Sequence, residues 1–152
     1  MFEPGYTEVV VFYRFGEGIE DYFIETVEAR KEGAYFKLVN APVFAPNLSA
    51  EDIVRCREEN GKNYYEELIH ASEFSTIQIL VNSIEQKKGI ELALAAYECD
   101  VNPYVAPNFI VLTVYPEADY RSIQKYLMSK VREDAIQFKE ASLRTKHKAS
   151  LM

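Results

Sequence analysis

The sequence predicts an α+β protein: an N-terminal antiparallel β-meander or small barrel followed by a ferredoxin-like β-α-β-β-α-β unit. Three observations carry this reading. Up to about residue 73, runs rich in Val, Tyr and Phe alternate with Gly, Asn and Pro, without a sustained helical period. Asn60-Gly61 stands between two such runs, and this dipeptide suits the positive φ that a type I′ hairpin turn needs at both central positions. From residue 74 onward, strand-like runs are interleaved with two stretches whose apolar residues recur at helical spacing.

Each element follows in order. YTEVVVFYRF, residues 6–15, reads as a strand because β-branched and aromatic side chains fit a pleated, half-buried surface. GEGIED follows as a turn, with Gly16 and Gly18 free to take positive φ. Residues 22–31 form a second strand with Phe23, Glu25, Val27 and Ala29 on one face. A helix is the alternative here, and the flanking glycines favour the hairpin. Gly33 turns the chain into a third strand, residues 34–40. Pro42 and Pro46 cannot donate a ladder hydrogen bond, so NAPVFAPNLSAED is a loop or sheet edge. Within it, Ser49 is placed to cap a single helical turn through Asp52. IVRCREE and YYEELIHAS then pair across Asn60-Gly61. Closing these five strands into a barrel would remove their exposed edges.

In the second half, residues 75–83 read as a strand and 85–98 as a helix, with Ile90, Leu94 and Tyr97 on its apolar face. CDVNPYVAP and NFIVLTVYP form two strands joined around Pro107-Asn108. Asp119 or Glu117 starts a helix whose stripe is Tyr120, Ile123, Leu127 and Val131. EDAIQFKEASL is a last strand, with a continued helix as the alternative. The expected division is an acidic β-rich subdomain at 1–73, the ferredoxin-like subdomain at 74–145 and a basic flexible tail at 146–152.

Composition narrows the function classes. Of 152 residues 48% are hydrophobic and 27% charged, which supports a core and argues against disorder. The net charge of −7 is uneven. Residues 1–100 carry 19 acidic and 9 basic side chains, whereas 101–152 carry 5 and 8. Such a surface repels phosphate backbones, so nucleic acid is not an expected partner. It would steer in a basic protein instead. Cys56 and Cys99 are too few and too far apart for a disulfide framework or a zinc knuckle. MFEPGYTEVV has no signal-peptide character, and no apolar run nears the ~20 residues of a membrane helix, so a cytoplasmic protein without a membrane partner is expected.

No catalytic set emerges. The two histidines, His70 on a strand and His147 in the tail, have no sequence-evident partners. GEGIED lacks phosphate-loop spacing and is itself acidic. Neither cofactor nor metal is expected. Candidate partner-binding residues are Glu17, Glu20 and Asp21 in the first turn, with Glu58, Glu59, Tyr64, Glu66 and Glu67 on the Asn60-Gly61 hairpin. Tyr is favoured at interface hot spots, and Tyr13 and Tyr65 are further aromatics of that kind. Against this, most surface charges bind nothing measurable.

The run ETVEARKEGAYFKLVNAPVFAPNLSAEDIV carries a pattern of Glu25, Thr26, Gly33, Tyr35, Leu38, Asn40, Pro42, Phe44, Ala45, Asp52 and Val54. Ser72, Ser75 and Thr76 follow, and Glu140, Ala141, Leu143 and Arg144 close it. This pattern resembles the bacterial family called domain of unknown function 4265. Where that family often has G-H-S-T, this chain has Glu73-Phe74-Ser75-Thr76. The resemblance implies a small bacterial cytosolic protein and no established activity. The expected function is therefore binding: an immunity-type antagonist that neutralises a toxin domain, with a small-ligand-sensing or regulatory domain as the alternative. The partner is then a protein, such as a basic toxin domain, with a homodimer as a further expectation.

Overall fold

A computed structural model describes residues 5–14 and 22–152. The GEGIED turn, with the candidate residues Glu17, Glu20 and Asp21, lies outside the described residues. The fold is mixed α+β with two sheets, and the chain divides into two compact units, Met1–Ser72 and Glu73–Met152.

The first unit holds β1 (Tyr6–Arg14), β2 (Tyr22–Glu32), β3 (Tyr35–Leu38), β4 (Ile53–Glu59) and β5 (Lys62–His70). Consecutive strands pair antiparallel, and β1 also pairs with β5, which closes the sheet. That closing pair is parallel and short, Val9 against Asn63 and Val10 against Tyr64. An all-antiparallel ring was not available: in an up-and-down run of five strands the first and last point the same way. Asn60 and Gly61 take φ of 52° and 76°, as the hairpin turn requires.

Alternation decides what fills the unit. Val9, Val11, Val27, Ala29, Leu38 and Val54 point inward and are buried. These small aliphatic side chains suit the narrow interior of a five-stranded barrel. Ala45 and Leu48, from the loop between β3 and β4, close over the core.

β3 is shorter than predicted, and the expected helical turn at Ser49–Asp52 is absent. The roles there are reversed. The Ser49 N–H donates to the buried Asp52 carboxylate at 2.8 Å, and Glu51 takes a positive φ of 68°, which no helix tolerates.

The second unit runs β6 (Ser75–Val81), α1 (Ile84–Leu94), β7 (Cys99–Ala106), β8 (Phe109–Val114), α2 (Tyr120–Arg132), β9 (Ile136–Ser142) and α3 (Thr145–Ala149). Its sheet is antiparallel in the order β7-β8-β6-β9. Ile77, Ile79, Ile110, Leu112 and Ile136 share one core with Ile90 and Leu94 of α1 and with Tyr120, Ile123 and Leu127 of α2. Asp119 caps α2 through Ser122, whose N–H lies 3.3 Å from its carboxylate.

Three expectations need correction. Tyr97 lies beyond α1, because the chain tightens into i→i+3 bonds from Ala96 and Tyr97 to Ala93 and Leu94. Val131 does not complete the α2 stripe and is 37% exposed. The tail is not flexible over its length: Thr145–Ala149 is a short helix that buries His147.

Candidate functional site

The nearest approach to a catalytic pair is one that the sequence did not suggest. Ser75 and His147, 72 residues apart, meet with Oγ 2.6 Å from Nδ1. The other ring nitrogen, Nε2, lies 2.9 Å from the Tyr115 carbonyl. A carbonyl only accepts, so Nε2 carries the proton and Nδ1 accepts from the Ser75 hydroxyl. Ser75 Oγ in turn accepts the Arg144 N–H at 2.9 Å. Both residues are essentially without solvent exposure. A nucleophile must reach a substrate, and a triad base is oriented by a carboxylate. Here every polar atom of the pair is spent inside the core. The arrangement pins α3 and the end of β9 to β6. Phe74, beside this pair in sequence, packs edge-on against Tyr115 at 5.9 Å, a packing role.

The cysteines are half-buried. Burial pushes both thiols up to about 11, which keeps them protonated at neutral pH. Among the described residues, no group of three His, Cys, Asp or Glu side chains is arranged to hold a metal ion.

Two carboxylates within the family-like pattern have structural partners. The Glu25 carboxylate accepts from three successive backbone N–H groups, those of Val43, Phe44 and Ala45, the last at 3.0 Å. Consecutive N–H groups converging on one anion form a nest. Asp52, fully buried, accepts from the N–H groups of Ser49 and Ser72 at 2.8 and 2.7 Å. These two side chains fix the loop from Val39 to Asp52.

The hairpin candidates are brought together, but not as a free acidic cluster. Glu58, Glu59, Glu66 and Glu67 are all exposed. Arg57 pairs with Glu59 at 3.2 Å. Arg55 reaches both Glu66, at 3.8 Å, and Glu67, at 3.4 Å. Strict alternation would send adjacent carboxylates to opposite faces. A register shift between Arg55 and Cys56 leaves Glu66 as the extra residue of a bulge and brings both within reach.

The stronger candidate is the neighbouring aromatic end of the barrel. On the outer face Phe12 and Ile24 are cross-strand partners, 50% and 62% exposed. Tyr64 meets Phe12 at 5.9 Å between ring centres, and the Arg57 guanidinium lies 5.5 Å over the Tyr64 ring. On the inner rim Tyr13, Phe23 and Phe44 stack in succession at 5.6 and 6.2 Å. Tyr65, by contrast, packs onto the barrel core. Along the outer face the next pairs are Val10 with Thr26, then Glu8 with Glu28. An open groove of about 340 Å³, lined by residues including Tyr6, Glu8, Val10, Thr26 and Lys62, runs beside them. Two carboxylates directly opposite each other on a sheet face destabilise it. Large exposed apolar side chains grouped at one end mark an interaction surface. Missing this site from sequence has a simple cause: β1 is apolar on both faces, so alternation does not say that Phe12 points out.

Among the described residues no helix is long and apolar enough to cross a membrane. The chain is similar in structure to a hypothetical protein from Neisseria gonorrhoeae solved by crystallography, with a TM-score of 0.78 at 22% identity. That alignment covers 90% of this chain and 94% of the other, and at this identity it speaks to fold alone. No curated protein matches. The family model described as Domain of unknown function (DUF4265) matches residues 25–138, from the loop-anchoring Glu25 through Phe138 of β9, while Glu140–Arg144 falls just beyond it. Three quarters of the sequence lies within that match, and the chain belongs to this family.

Proposed function

We propose that this is a cytoplasmic binding protein without catalytic activity, an immunity-type antagonist that neutralises a toxin domain by protein–protein contact. The observation that carries the reading is the aromatic end of the barrel, where Phe12, Ile24 and Tyr64 are grouped beside the Glu8–Glu28 pair. The partner chemistry follows from charge. Residues 1–72 hold 14 acidic and 7 basic side chains, and Glu17, Glu20 and Asp21 stand in the connection between β1 and β2. Arg55 and Arg57 are engaged by the hairpin carboxylates, while Glu8 and Glu28 face each other. A basic partner with an apolar centre would be steered in by the field and held by the aromatic cluster. The second unit has the element order and the sheet order β9-β6-β8-β7 of a ferredoxin-like domain, and we read it as one.

Co-expression of the full chain with a toxin domain encoded by a neighbouring gene tests this reading. Rescue of growth by the native chain, lost in Phe12→Asp/Ile24→Asp with folding intact, is the expected result. Growth arrest that the native chain does not relieve counts against it. The alternative, a small-ligand-sensing or regulatory domain, is favoured by the groove at Val10 and Lys62, whose volume lies within the ~300–1,000 Å³ of small-molecule sites. Thermal shifts with a metabolite panel, abolished by Val10→Trp, would support that alternative instead.

A further inference from the structure

The second unit presents a surface of the opposite sign. It carries ten acidic and ten basic side chains, but α2 carries Arg121, Lys125, Lys130 and Arg132 and no acidic residue. At about 100° per residue, Arg121, Lys125, Met128 and Arg132 fall within about 60° of one another around the helix, opposite the buried Tyr120, Ile123 and Leu127. The three cations are exposed, and none has an ion-pair partner among the described residues, whereas Lys130 is paired with Glu133. A solvated helix face ordinarily mixes both signs. This one does not, and it is not purely polar. Met128, 42% exposed, sits between the cations. Leu151, just beyond α3, joins them to line an open groove of about 430 Å³. Two carboxylates lie near it: Glu140 is occupied by the Tyr120 hydroxyl and by Gln124, and Asp119, which feels the charge of Arg121, caps the helix through Ser122. Lys146 and Lys148 of α3 add exposed positive charge nearby in sequence.

We infer that this face of α2 is a second docking surface, and that its occupant is an acidic polypeptide segment bearing an apolar side chain. Arg121 and Arg132 stand about 16 Å apart along the axis, the length of roughly five extended residues. Carboxylates spaced along such a segment would meet the cations, and its apolar residue would cover Met128 and Leu151. A sugar–phosphate backbone would satisfy the cations but not that apolar floor.

The test is fluorescence anisotropy on the full chain with a labelled peptide of about 10 residues alternating Glu and Leu. Saturable, salt-sensitive binding is expected. It should weaken by about tenfold or more in Arg121→Glu/Lys125→Glu/Arg132→Glu, as three exposed ion pairs imply. It should weaken in graded fashion in the corresponding Gln variant and a few-fold in Met128→Ser. These residues are exposed, and circular dichroism checks that each variant is folded. Absence of saturable binding, or binding undiminished by charge reversal, would overturn the proposal. Tighter binding of a single-stranded RNA of equal length would overturn it in favour of nucleic acid.

Discussion

The two units solve the same problem, placing polar groups inside a small fold, in different ways. The barrel unit anchors backbone with carboxylates: Glu25 takes three N–H groups of one loop, and Asp52 takes those of Ser49 and Ser72. The sheet-and-helix unit uses neutral groups, with His147 bridging Ser75 to the Tyr115 carbonyl. The surfaces differ likewise. The first unit holds the whole surplus of negative charge, while the second is balanced overall and carries its cations on α2. The net charge of −7 is thus the first unit's alone and says nothing of the second unit's surface. The carboxylate anchors use backbone donors that a loop exposes anyway, whereas the neutral bridge needs three segments in register, so the second should be the less forgiving of mutation.

The largest effect is therefore expected in the second unit. His147→Ala removes a buried ring and leaves the Ser75 hydroxyl and the Tyr115 carbonyl short of a partner. The cavity and the unpaired polar groups together should cost about 3 kcal/mol. Urea unfolding checks this, and a loss below about 1 kcal/mol would mean that α3 is not held by the bridge. Asp52→Ala should cost less, about 2 kcal/mol, since it strands two backbone N–H groups at the loop's base without opening a comparable cavity. Hydrogen exchange at Ser49 and Ser72 should speed up first.

Much of this architecture was legible in the sequence, for reasons that differ by element. Asn60-Gly61 announces its hairpin because few other dipeptides accept two positive φ values. The strand at residues 136–142 was only half legible: Ile136 and Phe138 alternate weakly, and the helical alternative is closed by the structure, where Asp134 takes a φ of 59°. The Ser75–His147 bridge was not legible, since nothing local links two residues that only the packing of α3 brings together. Glu25 and Asp52 were visible as members of a pattern, yet their role depends on a loop whose path the sequence does not show. The aromatic end was half legible: the tyrosines at 13 and 64 were marked, while Phe12 was hidden by the two-sided apolarity of β1 and Ile24 stood unmarked on the more polar face of β2.

Alkaline pH acts on both units and most strongly on the second. Burial, then the hydrogen bond to Glu140, raises the Tyr120 hydroxyl far above its usual range. The unfolded phenol would lose its proton near pH ~10, where the folded one keeps it. Unfolding then releases a proton, so this stabilisation is complete below about pH 9 and drains away as the pH rises above 10. Cys56 and Cys99, raised from 9.0 to about 11, act with the same sign, beginning about one unit lower. Tyr120→Phe should cost about 1 kcal/mol at pH 7 and flatten, without abolishing, the decline of the melting temperature between pH 9 and pH 11. An unchanged slope would show that the phenol is not the group that titrates.

The smallest effect bears most directly on function. Glu8 and Glu28 face each other across β1 and β2, on the outer face beside the groove. Replacing one like-charged member by its opposite turns a repulsion into a cross-strand ion pair, so Glu8→Lys should stabilise the barrel by about 0.5 kcal/mol. A barrel selected for stability alone would not keep two carboxylates there. If the pair is retained to meet a cation of a partner, the stabilised variant should protect cells less well than the native chain in co-expression. Neutral Glu8→Gln should fall between the two. Gained stability with undiminished protection would remove this pair from the binding face and leave the aromatic cluster as its centre.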